Sequence, residues 1–286
     1  MTRPSTSPPT GPPCPGDTLG AYRLEAVLGA GGMGVVYRAT RTHDGETVAV
    51  KVLRPELVDD PVYTRRFARE GRVARGLDHP HLVAVLDTGL AAGHPYIVSR
   101  HVQGESLAAV LARDQVLSTG RVVRLAAGIG SALDAVHRAG LVHRDVKPAN
   151  VLLDARGRAL LTDFGVARGD AESVLTAPGR VVGTVDYLAP ELIQGQAAGP
   201  ASDVYALGCL VFECLAGEPP FAAATGFAET CLAHLEGEPP DLGARRPDAS
   251  PTLLWASRRA LAKDPADRPA TGAAYARLLR AGLRAG

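Results

Sequence analysis

The stretch LVHRDVKPANVLL, residues 141–153, sets His143, Arg144, Asp145, Lys147 and Asn150 between apolar runs. That much polar material inside a hydrophobic frame is unfavourable unless it is paired or put to use. A carboxylate at Asp145 can orient a hydroxyl and take its proton as the oxygen attacks. The amide oxygen of Asn150, joined by a second carboxylate, can hold a hard cation such as Mg²⁺. Asp163, in LLTDFGVAR, is the candidate second carboxylate, although an aspartate there also suits an ordinary turn.

A second group of residues points to phosphate. LGAGGMGVVYRAT places Gly29, Gly31 and Gly34 in GxGxxG spacing. A dinucleotide-binding turn needs a helix after it, whereas VVYRAT reads as a strand. The glycines therefore cap a hairpin, where backbone N–H groups unscreened by Cβ atoms can approach phosphate oxygens. The other phosphate loop, GxxxxGK(S/T), is absent. Lys51 follows in VAVKVL among apolar neighbours, and a buried ammonium needs an anion. A phosphate on one side and the Glu70 carboxylate on the other would satisfy it. Singly, these features also fit a flexible turn and a surface lysine.

The elements that must hold these groups fall into two kinds. Residues 22 to 100 are strand-rich: YRLEAVLG, VVYRAT, TVAVKVL, LVAVLDTG and PYIVSR are short and rich in β-branched residues. Asp-Gly in Thr42 to Glu46 marks a turn between two of them. One helix interrupts, capped by Asp60 and opened by Pro61, with Val62, Phe67 and Val73 on roughly one face up to Leu77. After QGES (Gln103 to Ser106) the pattern becomes helical, near 106–113, 119–139, 203–217, 226–236, 250–262 and 270–283, with two short strands flanking Gly157.

Composition narrows the function classes. Apolar residues make up 46% of 286 residues, as a globular protein requires. Basic and acidic residues number 31 and 30, so no strong field draws nucleic acid or an anionic membrane. Cys14, Cys209, Cys214 and Cys231 form no CxxC pair, which argues against zinc. Cys209 and Cys214 lie in an apolar run too short to cross a bilayer and read as core thiols in a reducing compartment. Residues 1–19, rich in Pro, Ser and Thr, read as a disordered leader without a signal sequence. The expected location is cytoplasmic.

The glycine loop, Lys51, Glu70, HRDVKPAN, DFG and LAPE occur in one order across about residues 20 to 283. With GAGGMGVVY and GTVDYLAPE, the chain resembles the bacterial, eukaryotic-like (Hanks-type) Ser/Thr protein kinase family. The resemblance implies an α+β, two-lobed domain over 20–286. A small β-rich N-lobe with one main helix covers about 20–102, a larger mostly helical C-lobe about 103–286, and ATP lies between them. It implies that Leu28, Gly29, Gly31, Gly34, Val36, Ala49, Arg100 and Val102 contact ATP. Lys51 would hold the α- and β-phosphates and pair with Glu70. Asp145 would orient the attacking Ser or Thr hydroxyl, Lys147 would neutralise the γ-phosphate, and Asn150 and Asp163 would hold Mg²⁺. Glu191, Arg268 and Asp203 would be structural, the first two as a buried pair and Asp203 as a brace for the catalytic loop.

Lys147 and Thr184 match members that act on Ser/Thr of protein substrates. Arg144 before Asp145 implies control through an activation segment, whose candidates are Ser173, Thr176 and Thr184, modified through transient self-association. Ser99 is a small residue at the position that borders the adenine site. Gly71, inside the helix carrying Glu70, is expected to loosen that helix. A non-transferring ATP-binding scaffold would lack part of this set. A small-molecule phosphotransferase would lack the GT…APE segment at 183–191.

Overall fold

The computed structural model describes residues 11–163 and 185–284, the side chains of Arg66 and Glu70 excepted. The chain divides into two units: Met1–Asp78 with Val83–Val102, and His79–Leu82 with Gln103–Gly286.

The first unit is built on an antiparallel sheet. Its strands are β1 (Thr18–Leu19), β2 (Tyr22–Ala30), β3 (Gly34–Arg41), β4 (Thr47–Leu53), β5 (Val85–Ala91) and β6 (His94–Arg100), in the order β1-β2-β3-β4-β6-β5. Side chains opposite one another in a ladder share a face. Tyr37 pairs with Val50, which pairs with Val98, and these join Leu24, Ala39, Val48 and Val52 in one apolar core. The opposite face carries the row Val36, Lys51 and Ile97 and the row Arg38, Ala49 and Ser99. In β4, Val48, Val50 and Val52 are buried and alternate with less buried positions, as in a strand with one face on a core.

Two helices cross over between β4 and β5: α1 (Pro55–Val58) and α2 (Pro61–Ala74). The Asp60 carboxylate caps α2 by accepting from Val62 N–H at 2.8 Å. Phe67 buries this helix against Leu53, Leu57 and Ile97. Val62 departs from the expected apolar face: it is exposed, because it sits in the first turn beyond that cluster. Gly71 has a packing role in α2. A Cβ on it would overlap the Thr88 methyl of β5 and stand 3.2 Å from Ile97 Cγ1, so its bare backbone lets helix and sheet close together.

The stretch just before and including β1, expected to belong to a disordered leader over residues 1–19, is ordered. Leu19 is a core residue at 2% exposure, and β1 pairs with β2. Before it, Gly16 N–H donates to the Leu24 carbonyl at 2.8 Å, and the buried Tyr37 hydroxyl donates to the Pro13 carbonyl at 2.6 Å. Leu19 is the apolar anchor that a reading of the Pro-rich composition overlooked.

The second unit holds α3 (Leu107–Asp114), α4 (Thr119–Arg138), α5 (Pro190–Ile193), α6 (Pro200–Ala216), α7 (Phe227–Glu236), α8 (Leu242–Arg245), α9 (Pro251–Ala260) and α10 (Gly272–Arg284). A small antiparallel sheet orders β7 (Gly104–Ser106), β8 (Val151–Asp154) and β9 (Ala159–Leu161) in sequence. Helix α6 is buried almost throughout and carries Cys209 and Cys214 at 0% exposure. Helix α4 contributes Leu125, Ile129, Leu133 and Val136. Its Asp134 caps α10 by accepting from Gly272 and Ala273 N–H at 2.8 and 3.0 Å.

Candidate active site

In the second unit, the segment from the end of α4 to β8 is held from below by Asp203. This carboxylate, 1% exposed on α6, accepts from the backbone N–H of His143 and of Arg144, both at 2.8 Å. His137 at the end of α4 donates through Nε2 to the same carboxylate at 2.7 Å. Three donors around one carboxylate fix a turn in which Arg144 takes a left-handed backbone, φ 68°. His143 is fully buried beside it. One ring nitrogen faces the Thr162 carbonyl at 3.1 Å, and the other accepts from Asp145 N–H at 3.3 Å. One donor and one acceptor suit the neutral imidazole, and burial pulls its pKa below the usual value.

This frame presents a compact polar cluster. Lys147 Nζ stands 3.1 Å from Asp145 Oδ2. Asn150 Nδ2 donates both to that oxygen and to the Asp145 backbone carbonyl, at 2.8 Å each. With its amide nitrogen so used, Asn150 has its amide oxygen left to offer a cation. Thr162 N–H donates to the Asn150 carbonyl at 3.0 Å where β8 begins and β9 ends, one residue before Asp163. Asp163 adopts φ 56°, a left-handed conformation that aspartate tolerates better than most residues. Carboxylate and amide oxygens are hard donors, the set Mg²⁺ prefers.

In the first unit, β2 and β3 form the expected hairpin over the glycines. Gly31 N–H donates to the Gly34 carbonyl at 2.9 Å to close it. No atom lies within 4 Å of where a Cβ would stand on Gly29 or Gly31, so that surface is open. Gly34 is different: a Cβ there would overlap the Val52 carbonyl of β4. Lys51 lies partly buried on β4 between Val36 and Ile97, and Ala49 between Arg38 and Ser99. Leu28 is half-exposed, Arg100 exposed and Val102 partly buried. Glu70 belongs to α2, and its side chain is outside the described set. Ser173, Thr176 and Thr184 also lie outside the described residues.

Glu191 and Arg268 are buried together. The guanidinium donates to both carboxylate oxygens at 2.8 Å and also to the carbonyls of Ala201, Ala262 and Lys263. Ser202 donates to the same carboxylate at 2.7 Å. Burial pushes the Glu191 pKa up, but the Arg268 and Ser202 hydrogen bonds outweigh it and leave the group below its ordinary value. Sequence reasoning did not single out His137 or Ser202, since a lone polar residue at a helix end carries no signal until its partner is seen.

A model of the protein kinase domain matches residues 22–277. The chain belongs to the protein kinase family. The chain is 41% identical over 276 residues to the serine/threonine-protein kinase PknJ of Mycobacterium tuberculosis, covering 95% of this chain and 47% of that protein. It is 40% identical over 273 residues to pkn3 of Myxococcus xanthus, covering 91% and 49%. Its fold superposes on the crystal structure of the M. tuberculosis PknI kinase domain with a TM-score of 0.76 and 34% identity, covering 95% of this chain and 99% of that one. The chain spans about half the length of the curated relatives it matches. Among the described residues no helix is long and apolar enough to cross a membrane.

Proposed function

We propose that the chain is an active serine/threonine protein kinase, transferring the γ-phosphoryl group of ATP to Ser or Thr hydroxyls of protein substrates. The observation that carries this reading is the cluster Asp145, Lys147 and Asn150, braced by Asp203. ATP with Mg²⁺ supplies the phosphoryl group and neutralises charge at the phosphates. Asp145 orients the substrate hydroxyl and receives its proton at the carboxylate. The Asn150 amide holds that carboxylate in place, and Lys147 offers positive charge beside it. The Asn150 amide oxygen and the Asp163 carboxylate are the residues that would hold Mg²⁺. On the first unit, the glycine hairpin and Lys51 are assigned to the phosphates, with Glu70 as the partner of Lys51. Leu28, Val36, Ala49, Arg100 and Val102 are assigned to the adenosine.

The full set of groups favours transfer over passive ATP binding. Regulation is assigned to the activation segment, with Thr176 as the first site and Ser173 as the reserve, modified by a second copy of the chain. Intact-mass spectrometry of protein made with and without a co-expressed phosphatase tests this. The expected result is a mass increase in units of one phosphate that the phosphatase removes and that Asp145→Asn abolishes. An unmodified wild-type protein that also fails to phosphorylate a generic basic protein would overturn the reading.

A further inference from the structure

We infer that Arg54 is a positioning residue for the glycine hairpin, turning the backbone N–H groups of Gly32 and Gly34 toward the nucleotide phosphates. The inference rests on the phosphate-binding role proposed for that hairpin. Arg54 directly follows β4, three residues after Lys51. It grips the hairpin twice. Its Nε donates to the Gly31 carbonyl at 2.7 Å, and its backbone N–H donates to the Met33 carbonyl at 3.0 Å.

A trans peptide is planar, so each carbonyl points opposite to the N–H of the next residue. Drawing the carbonyls of residues 31 and 33 toward Arg54 therefore turns the N–H groups of residues 32 and 34 away from it. Neighbouring N–H groups held side by side form an anion-binding concavity. The hairpin needs such a hold, because residues 28–32 are exposed and glycine-rich, and glycine leaves the backbone wide conformational freedom. The base of the grip is firm. Leu53 and Leu57 on either side are buried with Phe67 and Ile97, and the Arg54 carbonyl accepts from Leu57 N–H at 2.9 Å. Arginine suits the task because its Nε–H is directional and part of a planar fork, whereas lysine offers only a rotating ammonium.

The test compares binding of MgATP and of adenosine by calorimetry in the wild-type chain, Arg54→Ala and Arg54→Lys. Both substitutions keep the backbone hydrogen bond to Met33; Arg54→Ala removes the side-chain bond to Gly31, and Arg54→Lys replaces the directional Nε–H donor with a rotating ammonium. The expected result is MgATP binding weakened about tenfold in Arg54→Ala, the scale of losing one charge-assisted hydrogen bond, with adenosine affinity unchanged. Arg54→Lys should behave in the same way and carries the comparison if the alanine variant fails to fold. Unchanged MgATP affinity, or equal loss for both ligands, overturns the positioning role. Wild-type protein that binds neither ligand overturns instead the nucleotide-binding reading beneath it.

Discussion

At the scale of single residues, the polar stretch 143–150 is tolerated because its groups are paired within the fold. Asp145 is held by Asn150 and flanked by Lys147. Asp145→Asn and Lys51→Met are therefore expected to abolish phosphate transfer while leaving the thermal unfolding midpoint near wild type. A radiolabelled phosphate-transfer assay run beside calorimetry checks both halves, and near-native activity in either variant would refute the assigned roles. The Glu191–Arg268 pair behaves oppositely. Arg268→Met strands a buried carboxylate and should destabilise the fold by about 3–5 kcal/mol in urea unfolding. Adding Glu191→Leu should restore much of that loss, because the stranded charge is then gone. These residues were legible in the sequence through fixed motifs. His137, Ser202 and Arg54 were not, because each acts through a partner distant in the chain or through a backbone carbonyl, which leaves no mark on residue type.

At the scale of elements, the strand-rich half and the helices near 119–139 and 226–236 were readable from periodicity, and the structure places them at Thr119–Arg138 and Phe227–Glu236. β1 and β7 escaped, since two or three residues carry no period, whereas the equally short β9 was marked by the turn at Gly157. Gly71 shows why local propensity misleads. Read alone, an interior helix glycine weakens α2, and Ala should improve it by about 0.5–1 kcal/mol. In the fold, the alanine methyl would meet the Thr88 methyl and Ile97. Gly71→Ala is therefore expected to destabilise by about 1–3 kcal/mol, the range for overpacking a core. Trimming the obstacle in Gly71→Ala/Thr88→Ser should recover part of the loss. A more stable single variant would show that α2 has room to move away from β5.

At the scale of the whole molecule, burial of neutral imidazoles ties stability to pH. His143 and His234 are both at 0% exposure, and His94 is buried as well. Burial lowers the pKa of all three, that of His234 to about 3, with the nearby Lys263 ammonium adding to the effect. His234 lies against Tyr205, whose hydroxyl is 2.8 Å from Nδ1, and against the Phe221 ring. A group whose folded pKa is depressed contributes nothing to the pH dependence well above its unfolded value, near 6.5. Below that value the unfolded chain takes up a proton that the folded chain refuses, so stability falls as the solution is acidified. Each such imidazole steepens the fall by up to about 1.4 kcal/mol per pH unit. Lys263, lowered by burial to about 8, titrates above this window and does not shape it. Urea unfolding between pH 7.0 and 5.0 should therefore show a steep loss in the wild-type chain. His234→Leu should remove one imidazole's share of the slope, even though loss of the Tyr205 contact lowers stability at every pH. An unchanged slope in that variant would mean that His234 gains its proton in the folded state and that the polar core around Tyr205 opens to admit it.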